Sequence, residues 1–334
     1  MYARCSHLTQ MLSAHVPTHF YTKASTINHD DIMKCNGLGV TKQMLPHVPG
    51  ECVIGTIETI EGVGALVNSV FAPGDRVIGR FESGGCTRFL WADATNFIKA
   101  PSGVSGKKAL GLFQDWMPAY RALRVAKDSL KGVNLFGMNI LITDAISAIG
   151  QAVIALASDE AANIYCCAEK SHHEYLESLS SRVRCVESQP NKWLPELKQK
   201  MRIVIDSSCI DGYRSSWEAL ASDGVLVVLP PVNFDVQNFD VTNLLQKMYF
   251  AKAKYFMRQT VTVDMKEEFK IDINSESGIV KRTNFMRDLQ YLTFLHKKGL
   301  VDPKVEEIDL VNLQSVGKTL LQGTGGTLVC LPWN

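Results

Sequence analysis

Residues 139–169 constrain the fold of this chain more than any other stretch, because their pattern predicts a strand, a tight turn, a helix and a second strand in succession. Residues 139–143 are a short apolar, β-branched run of the kind that is buried in a parallel sheet. Apolar residues then recur at helical spacing through 152–157, and residues 164–168 form the next apolar run. The stretch therefore predicts a βαβ unit, in which a helix connects two parallel strands.

The turn between the first strand and the helix, residues 144–150 with the sequence DAISAIG, bears on whether this unit binds a ligand. A βαβ unit that binds a dinucleotide usually turns on glycines, so that backbone N–H groups reach the diphosphate at the helix N-terminus. Here only the last of these glycines is present, and Asp144 adds a negative charge that would repel a diphosphate. A bound cofactor is expected to contact the end of the turn, which consists of Ser147, Ala148, Ile149 and Gly150.

The charge balance argues against two classes of partner. Lys and Arg number 35 and Asp and Glu number 34, so there is no basic excess to attract nucleic acid or an acidic membrane surface. No apolar run approaches the length that is needed to span a bilayer. The chain has 334 residues, of which 46% are hydrophobic, and is long enough for two domains with sizeable cores. We expect neither a nucleic-acid partner nor a membrane span.

Cysteine usage indicates a reducing compartment. The nine cysteines include no CxxC pair and their number is odd, which argues against a disulfide framework and a zinc-ribbon site. We therefore expect an intracellular protein, either cytoplasmic or in the matrix of mitochondria or another organelle. The first sixteen residues contain Arg4 and no acid, which is compatible with the remnant of an organellar targeting segment or with an ordinary terminus.

The rest of the chain shows three patterns in order. Residues 17–27 predict a strand, and residues 50–79 alternate strand-like runs with glycines and a Pro-Gly-Asp turn, which is typical of a small antiparallel barrel. Short strands then alternate with helices over residues 139–229, which predicts a doubly wound parallel sheet. Residues 305–308 and 327–331 predict two closing strands.

Several local predictions concern the last third of the chain. Residues 264–284 are dense in charge and predict an exposed loop or insertion. Asn284 is then expected to cap a helix over residues 285–298, and a further helix is expected over residues 311–321. Residues 249–263 are apolar and end in an alternating run, which suits either an internal strand or the pairing of a sheet edge with a second copy.

Several motifs occur in an order that resembles one family. They are Asn-His-Asp-Asp-Ile-Met at 28–33, Gly-Asp-Arg-Val at 74–77, and the Ala-Tyr pair at 119–120 ahead of the βαβ unit. The chain also begins with a predicted barrel, continues with a parallel-sheet domain and returns to the barrel. Together with this order, the motifs resemble the zinc-free quinone oxidoreductase and enoyl reductase branch of the medium-chain dehydrogenase/reductase superfamily. The charged segment 264–284 also resembles that of vesicle amine transport protein homologues. The resemblance covers nearly the whole chain.

The resemblance implies an α/β fold with two domains. Residues 1–122 and 262–334 would form a GroES-like barrel domain, and residues 123–261 would form a Rossmann domain with a doubly wound parallel sheet. It also implies a zinc-free reductase that transfers hydride from NADPH or NADH to a quinone, an enone or an enoyl thioester. Its partner would be a small carbonyl or quinone substrate. Relatives in this branch commonly dimerise, which implies a homo-oligomer.

By position, the resemblance implies roles for five residues. Asn28 and Asp31 match an Asn-x-x-Asp pair that lies near the nicotinamide, and they are the implied catalytic residues. Their alternative role is a helix cap together with a solvated acid. After the second strand, Glu169 suits the ribose of NADH, whereas Lys170 and His173 suit the 2′-phosphate of NADPH, so the choice of cofactor stays open. An exposed helix start is the alternative for these three.

A metal site is not expected. The zinc branch of the superfamily needs a Cys where Asn28 stands and a His-Glu pair where this chain has Glu51 and Cys52, so the resemblance implies metal-free chemistry. The adjacent His172 and His173 are not expected to form a metal pair, because neighbouring residues of a helix face different directions.

Departures from the family pattern at positions expected to face the cofactor keep a second function open. They are the replaced glycines of the turn, Pro118 in place of a threonine, Ser208-Cys209 in place of a glycine, and Pro230-Pro231 where relatives turn on a glycine. The alternative to a reductase is an oxidoreductase-like pseudoenzyme that serves as a structural or binding subunit of a larger assembly.

Overall fold

The computed structural model describes residues 17–35, 47–61, 71–229, 260–263, 265, 276–315 and 325–333. Its strands are β1 (Pro17–Ile27), β2 (Cys52–Ile60), β3 (Arg76–Arg80), β4 (Phe89–Asp93), β5 (Phe97–Lys99), β6 (Asn139–Ile142), β7 (Asn163–Ala168), β8 (Val183–Glu187), β9 (Met201–Asp206), β10 (Leu220–Val228), β11 (Thr260–Thr262), β12 (Val305–Asp309) and β13 (Thr327–Leu331). Its α-helices are α1 (His29–Cys35), α2 (Gly106–Gly111), α3 (Met117–Ser129), α4 (Ala148–Asp159), α5 (His173–Ser178), α6 (Pro190–Leu197), α7 (Arg214–Ala219) and α8 (Glu276–Lys297). A π-helical turn at Leu112–Trp116 joins α2 to α3, and short 3-10 turns lie at Ala94–Asn96, Lys170–His172 and Leu310–Ser315.

The first sheet combines the N-terminal strands with the last two strands of the chain. Its order is β12-β13-β1-β2-β3-β5, and β4 pairs with the first half of β1. In β1, Thr18, Phe20 and Thr22 are buried, and the residues between them are partly exposed. This period of two is that of a strand with one face on a core. The strand predicted at residues 17–27 is therefore confirmed.

The second sheet has six parallel strands in the order β11-β10-β9-β6-β7-β8. On one face, Ile140 and Ile205 pack with residues of α3 and α4, and on the other face Leu141 and Val204 pack with residues of α6 and α7. Because helices cover both faces, the strands are buried throughout, which explains their nearly continuous apolar sequence. The predicted α/β class with a doubly wound parallel sheet is confirmed.

The helices between the two sheets connect the parts of the molecule. Phe113 in the π-helical turn packs edge-on against Phe285 of α8, with ring centroids 5.6 Å apart. β13 pairs with β1, and β12 pairs with β13, so the strands predicted at the end of the chain lie in the first sheet. The division into domains at 1–122, 123–261 and 262–334 stays a prediction.

α8 corrects the loop predicted over residues 264–284 from residue 276 onward, whereas residues 264 and 266–275 lie outside the described residues. The helix begins at Glu276, so Asn284 lies inside it and does not cap it. The reason is tertiary, because Phe285 and Leu289 are buried and anchor one face of the helix to the core. Dense charge on the opposite face of such a helix resembles an exposed loop when only the sequence is considered.

Some predictions concern residues that the structure does not describe. The helix end predicted at residues 37–39, the pair at 230–231 and residues 249–259 lie outside the described residues. Of the helix predicted at residues 311–321, the described part is a 3-10 turn. Within the described segments, no helix has both the length and the apolar character that crossing a bilayer requires.

Candidate functional site

The turn before α4 places the predicted cofactor-binding residues at the carboxyl end of β6. α4 begins at Ala148, with Ser147 as its N-cap residue. The Ser147 hydroxyl accepts a hydrogen bond from the Gly150 N–H at 3.0 Å and donates one to the Asp144 carbonyl at 2.8 Å. It thereby satisfies an N–H group that the start of a helix leaves without a backbone partner.

Gly150 is needed for packing within this turn. A Cβ at Gly150 would lie 2.2 Å from the Asp144 carbonyl oxygen and 2.8 Å from the Ala145 Cα, both of which are backbone atoms. In a dinucleotide-binding turn, the last glycine serves this close packing of helix on strand, while an earlier glycine lets the backbone approach the diphosphate. The chain keeps the last glycine, as Gly150, and lacks the earlier glycine that would let the backbone approach a diphosphate.

The turn meets only part of what a diphosphate requires. The start of α4 offers N–H groups and the positive end of the helix dipole. However, the partly exposed Ala148 and Ile149 carry Cβ atoms near that point. Asp144 lines the adjacent cavity, where an ionised carboxylate repels a phosphate. The helix dipole thus favours a bound anion, whereas the side-chain bulk of the turn and the charge of Asp144 oppose it.

The residues predicted to face the ribose follow β7 directly. Glu169 and Lys170 are exposed, and the Lys170 Nζ lies 3.4 Å from the Glu187 Oε1 at the end of β8. The His173 Nε2 lies 3.1 Å from the Ala168 carbonyl oxygen, which ties the ring to the end of β7. These side chains therefore lie on the same sheet edge as the turn, since β6 and β7 are parallel neighbours.

A cavity of about 150 Å³ opens at the carboxyl ends of β6, β7, β8 and β9. Its lining includes hydroxyl, carboxyl and indole groups, from Thr143, Asp144, Ser188, Trp193, Ser208 and Ser215. The indole Nε1 of Trp193 is buried and has no hydrogen-bond partner among the described residues. The strand order reverses between β6 and β9, and ligands of open α/β sheets bind at such a switch point.

Asp206, at the end of β9, holds one wall of this cavity in place. Its Oδ1 accepts hydrogen bonds from the Thr143 hydroxyl at 2.8 Å, the Ser208 hydroxyl at 3.0 Å and the Cys209 N–H at 3.0 Å. Its Oδ2 accepts one from the Ser216 hydroxyl at 2.6 Å. Ser208 and Cys209, where the family pattern has a glycine, are therefore anchored to a buried carboxylate.

Asn28 and Asp31 form a reciprocal cap at the start of α1. The Asn28 Oδ1 accepts from the Asp31 N–H at 2.9 Å, and the Asp31 Oδ2 accepts from the Asn28 N–H at 3.0 Å. The Asp31 Oδ1 accepts from the Gly50 N–H at 2.9 Å, and burial raises the pKa of this carboxyl to about 7. The alternative of a helix cap is thus confirmed for Asn28, whereas Asp31 is fully buried and is not a solvated acid. Their catalytic role stays a prediction.

A buried polar cluster lies beside this cap. The Asn28 amide donates to the Glu51 Oε2 at 2.6 Å, and the Arg80 Nε lies 3.4 Å from the Glu51 Oε1. The Cys52 thiol donates to the Gln114 Oε1 at 2.8 Å, and burial raises the pKa of Cys52 to about 12. The cation beside Glu51 is a guanidinium, and in the part of the chain that is described no three His, Cys, Asp or Glu residues form a metal-binding group.

Two further polar contacts were not predicted from the sequence. Asp115 in the π-helical turn accepts a hydrogen bond from the Thr327 hydroxyl of β13, and burial raises its pKa to about 6. The Lys304 ammonium lies 4.4 Å from the centroid of the Tyr175 ring and 3.4 Å from the Gln151 Oε1. Each contact joins segments that are far apart in sequence, so no local signal announces it.

The structure therefore brings the predicted residues into two groups. Ser147 to Gly150 and Glu169 to His173 lie at one edge of the parallel sheet. Asn28 and Asp31 lie at the start of α1 and contact Glu51 and Gly50, which directly precede β2. Sequence reasoning missed Ser188 and Trp193. The position of Ser188 just after β8 would have indicated it, because the carboxyl ends of parallel strands share one edge.

Comparisons with known proteins bear on the fold. No family model matches the chain. A quinone oxidoreductase-like protein 2 homolog from Nematostella vectensis is 36% identical over 134 residues, which are 40% of this chain and 34% of that protein. Highly reducing polyketide synthase 40 from Fusarium pseudograminearum is 28% identical over 239 residues, which are 69% of this chain and 9% of that protein. The matches thus span about a third or less of these two relatives.

Solved structures match over nearly the whole chain. The CurK enoyl reductase covers 94% of this chain and 90% of its own, with a TM-score of 0.69 and 18% identity. The quinone oxidoreductase of Thermus thermophilus, solved also with NADPH, covers 94% and 91%, with a TM-score of 0.63 and 16% identity. The human synaptic vesicle membrane protein VAT-1 homolog-like protein covers 94% and 89%, with a TM-score of 0.67 and 18% identity. The chain thus has the fold of the medium-chain dehydrogenase/reductase superfamily, and the resemblance to its quinone oxidoreductases and enoyl reductases is confirmed.

Proposed function

We propose that this chain is an NAD(P)H-dependent, zinc-free reductase of quinones, enones or enoyl thioesters. The cavity at the switch point of the parallel sheet carries this proposal. It lies next to the N-terminus of α4 and offers hydroxyl groups together with the Trp193 indole N–H, which has no partner among the described residues; such groups suit the polar edges of a nucleoside. A bound nicotinamide would supply a hydride to the substrate.

The chain's own residues bind and orient under this proposal. Ser188, Ser208 and Trp193 hold the nucleoside end, and the exposed Glu169 and Lys170 lie beside its ribose. NADPH differs from NADH by a 2′-phosphate on the adenosine ribose. If the cofactor is NADPH, Lys170 and His173 are the residues that contact this phosphate. A quinone oxidoreductase of the same fold binds NADPH, which supports a nicotinamide cofactor here.

We propose that Asn28 and Asp31, the pair whose catalytic role the resemblance implies, lie at the reacting centre. Both carboxylate oxygens of Asp31 are engaged with backbone N–H groups, so its role is to hold Asn28. The Asn28 side chain is half-buried and its amide is oriented by Glu51. We place Asn28 at the nicotinamide end and Asp31 behind it.

The second candidate function is a pseudoenzyme that serves as a binding or structural subunit. The turn before α4 favours it, because Ser147 and Ala148 replace two glycines and Asp144 lines the cavity. In a protein that no longer binds a diphosphate, these side chains would impair no function. The two candidates differ in whether a dinucleotide binds at all.

Calorimetric titration with NADPH and with NADH separates the two candidates. A cofactor at a hundred times its Kd adds about 2.7 kcal/mol to the free energy of unfolding, so binding is also visible as a raised melting temperature. The reductase proposal expects both signals, together with substrate-dependent oxidation of the bound nicotinamide. No binding at millimolar concentration of either cofactor would leave the pseudoenzyme.

A variant of the turn sharpens this test. Ser147→Gly, Ala148→Gly and Asp144→Asn together remove two Cβ side chains and one charge, so dinucleotide binding should tighten. Ser105→Gly is the matched control, because Ser105 caps α2 in the same way and lies far from the turn in sequence. Wild-type binding that the triple variant fails to improve would contradict the steric and electrostatic account of the turn. Absence of binding in both proteins would reject the reductase.

A further inference from the structure

A groove of about 360 Å³ lies between α8 and the segment that follows β5, away from the carboxyl edge of the parallel sheet. Its walls are mainly apolar, with Ile98, Ala100 and Pro101 on one side and Met286, Leu289 and Phe294 on the other. Phe294, on the wall of the groove, keeps 52% of its surface exposed.

One face of α8 forms the full length of this groove. Met286, Leu289, Gln290, Thr293, Phe294 and Lys297 recur at helical spacing along it. The eleven residue steps from Met286 to Lys297 correspond to about 16 Å along a helix axis. The lining of the groove therefore extends along about three turns of α8, which suits an extended chain.

The two ends of the groove differ in whether a cationic side chain is available to a ligand. Lys297 lies at the end near Gly103, where a Cβ on Gly103 would be 3.0 Å from its Nζ. Among the described residues, Lys297 has no carboxylate partner, whereas the Nζ of Lys99, also on the wall, lies 3.2 Å from the Asp75 carboxylate. One turn before Met286, the Arg282 guanidinium is occupied by the Phe97 carbonyl. An available cation thus stands at one end of an apolar channel.

We propose that this groove binds a single-chain anionic amphiphile, such as a medium-chain carboxylate, with its apolar chain along α8 and its carboxylate at Lys297. Apolar walls remove the chain from water, and the ammonium group selects the sign of the head group. The Thr293 hydroxyl donates to the Leu289 carbonyl and does not compete for the ligand. This site is independent of the proposed reductase activity.

Calorimetric titration of the whole chain with three probes tests the proposal. Sodium decanoate, below the concentration at which it forms micelles, combines an apolar chain with an anionic head. Decyltrimethylammonium has the same chain with a cationic head, and acetate has the head without the chain. We expect decanoate to bind, acetate not to bind, and the cationic probe to bind several-fold more weakly than decanoate.

Two variants locate the site. Lys297→Ala should weaken decanoate binding by about two- to five-fold, as expected for a partly exposed ion pair, and should not weaken binding of the cationic probe. Lys281→Ala, an exposed lysine on the same helix, is the matched control and should change neither. Ala100→Trp fills the groove and should abolish decanoate binding, with the melting temperature measured to confirm folding.

Several results would overturn the proposal. They are the absence of decanoate binding, equal affinity for the two head groups, and decanoate binding that Lys297→Ala leaves unchanged. Co-sedimentation with phosphatidylglycerol vesicles without binding of free decanoate would also overturn it, because the ligand would then be a membrane surface. If Ala100→Trp unfolds, the Lys297→Ala comparison still decides the outcome.

Discussion

Gly150 lies where the first turn of α4 packs on the backbone of residues 144 and 145. Gly150→Ala would place a Cβ 2.2 Å from a carbonyl oxygen that belongs to the backbone and cannot rotate away. We expect this substitution to lower the free energy of unfolding by about 1–3 kcal/mol through overpacking, as measured by urea denaturation. Gly106→Ala on α2 is the control, since its Cβ would meet its nearest neighbour at 3.4 Å, an ordinary contact. Equal effects of the two substitutions would contradict the packing role.

The buried Asp31 carboxyl should make the stability of the fold depend on pH. Burial raises its pKa to about 7, so the folded chain holds a proton that the unfolded chain releases near its usual value of 3.8. The stability that this group contributes is therefore fully present below about pH 4 and is lost as the pH rises through 7. Between pH 5 and 8, Asp31→Asn should lose less stability than the wild type does. Parallel curves from urea unfolding at several pH values would contradict this.

At the scale of elements, α8 is held to α3 by charge. The Asp288 carboxylate is 2% exposed and lies 2.8 Å from the Arg121 Nη1 and 2.7 Å from the Arg124 Nη1. Asp288→Ala should lower the free energy of unfolding by about 2–3 kcal/mol, which is less than the roughly 3–5 kcal/mol typical of a broken buried ion pair. The reason is that Arg121 and Arg124 are both partly exposed, so their guanidinium groups regain water. Asp128→Ala, an exposed acid on α3, should stay within about 0.5 kcal/mol of the wild type. A smaller loss for Asp288→Ala than for Asp128→Ala would refute the role of this ion pair.

At the scale of the whole molecule, we predict self-association through β11. Among the described strands, β11 pairs only with β10 and ends the parallel sheet, with Thr260 and Thr262 exposed. Thr260→Lys with Thr262→Lys should convert a dimer to a monomer, because lysines at a sheet edge oppose pairing. Light scattering at micromolar concentration measures the mass, and Thr283→Lys on α8 is the control. A wild-type mass equal to that of one chain would remove the prediction.

The sequence by itself determined the order of elements and the fold class. The apolar runs at 139–143 and 164–168 and the alternation at 17–27 predicted strands that the structure confirms, because such periodicity reflects which faces are buried. The missing glycines at Ser147 and Ala148 were also visible directly. These features depend on residues that are close together in the chain.

Tertiary structure alone decided what the remaining residues do. Glu276 starts a helix because residues further along α8 reach the core, and Asp31 accepts from the Gly50 N–H only because the fold brings residue 50 to the start of α1. The cavity near Trp193 combines the ends of four strands, and the groove at Lys297 combines a helix with a distant strand. No local pattern encodes such contacts, because burial and pKa depend on which distant segments meet.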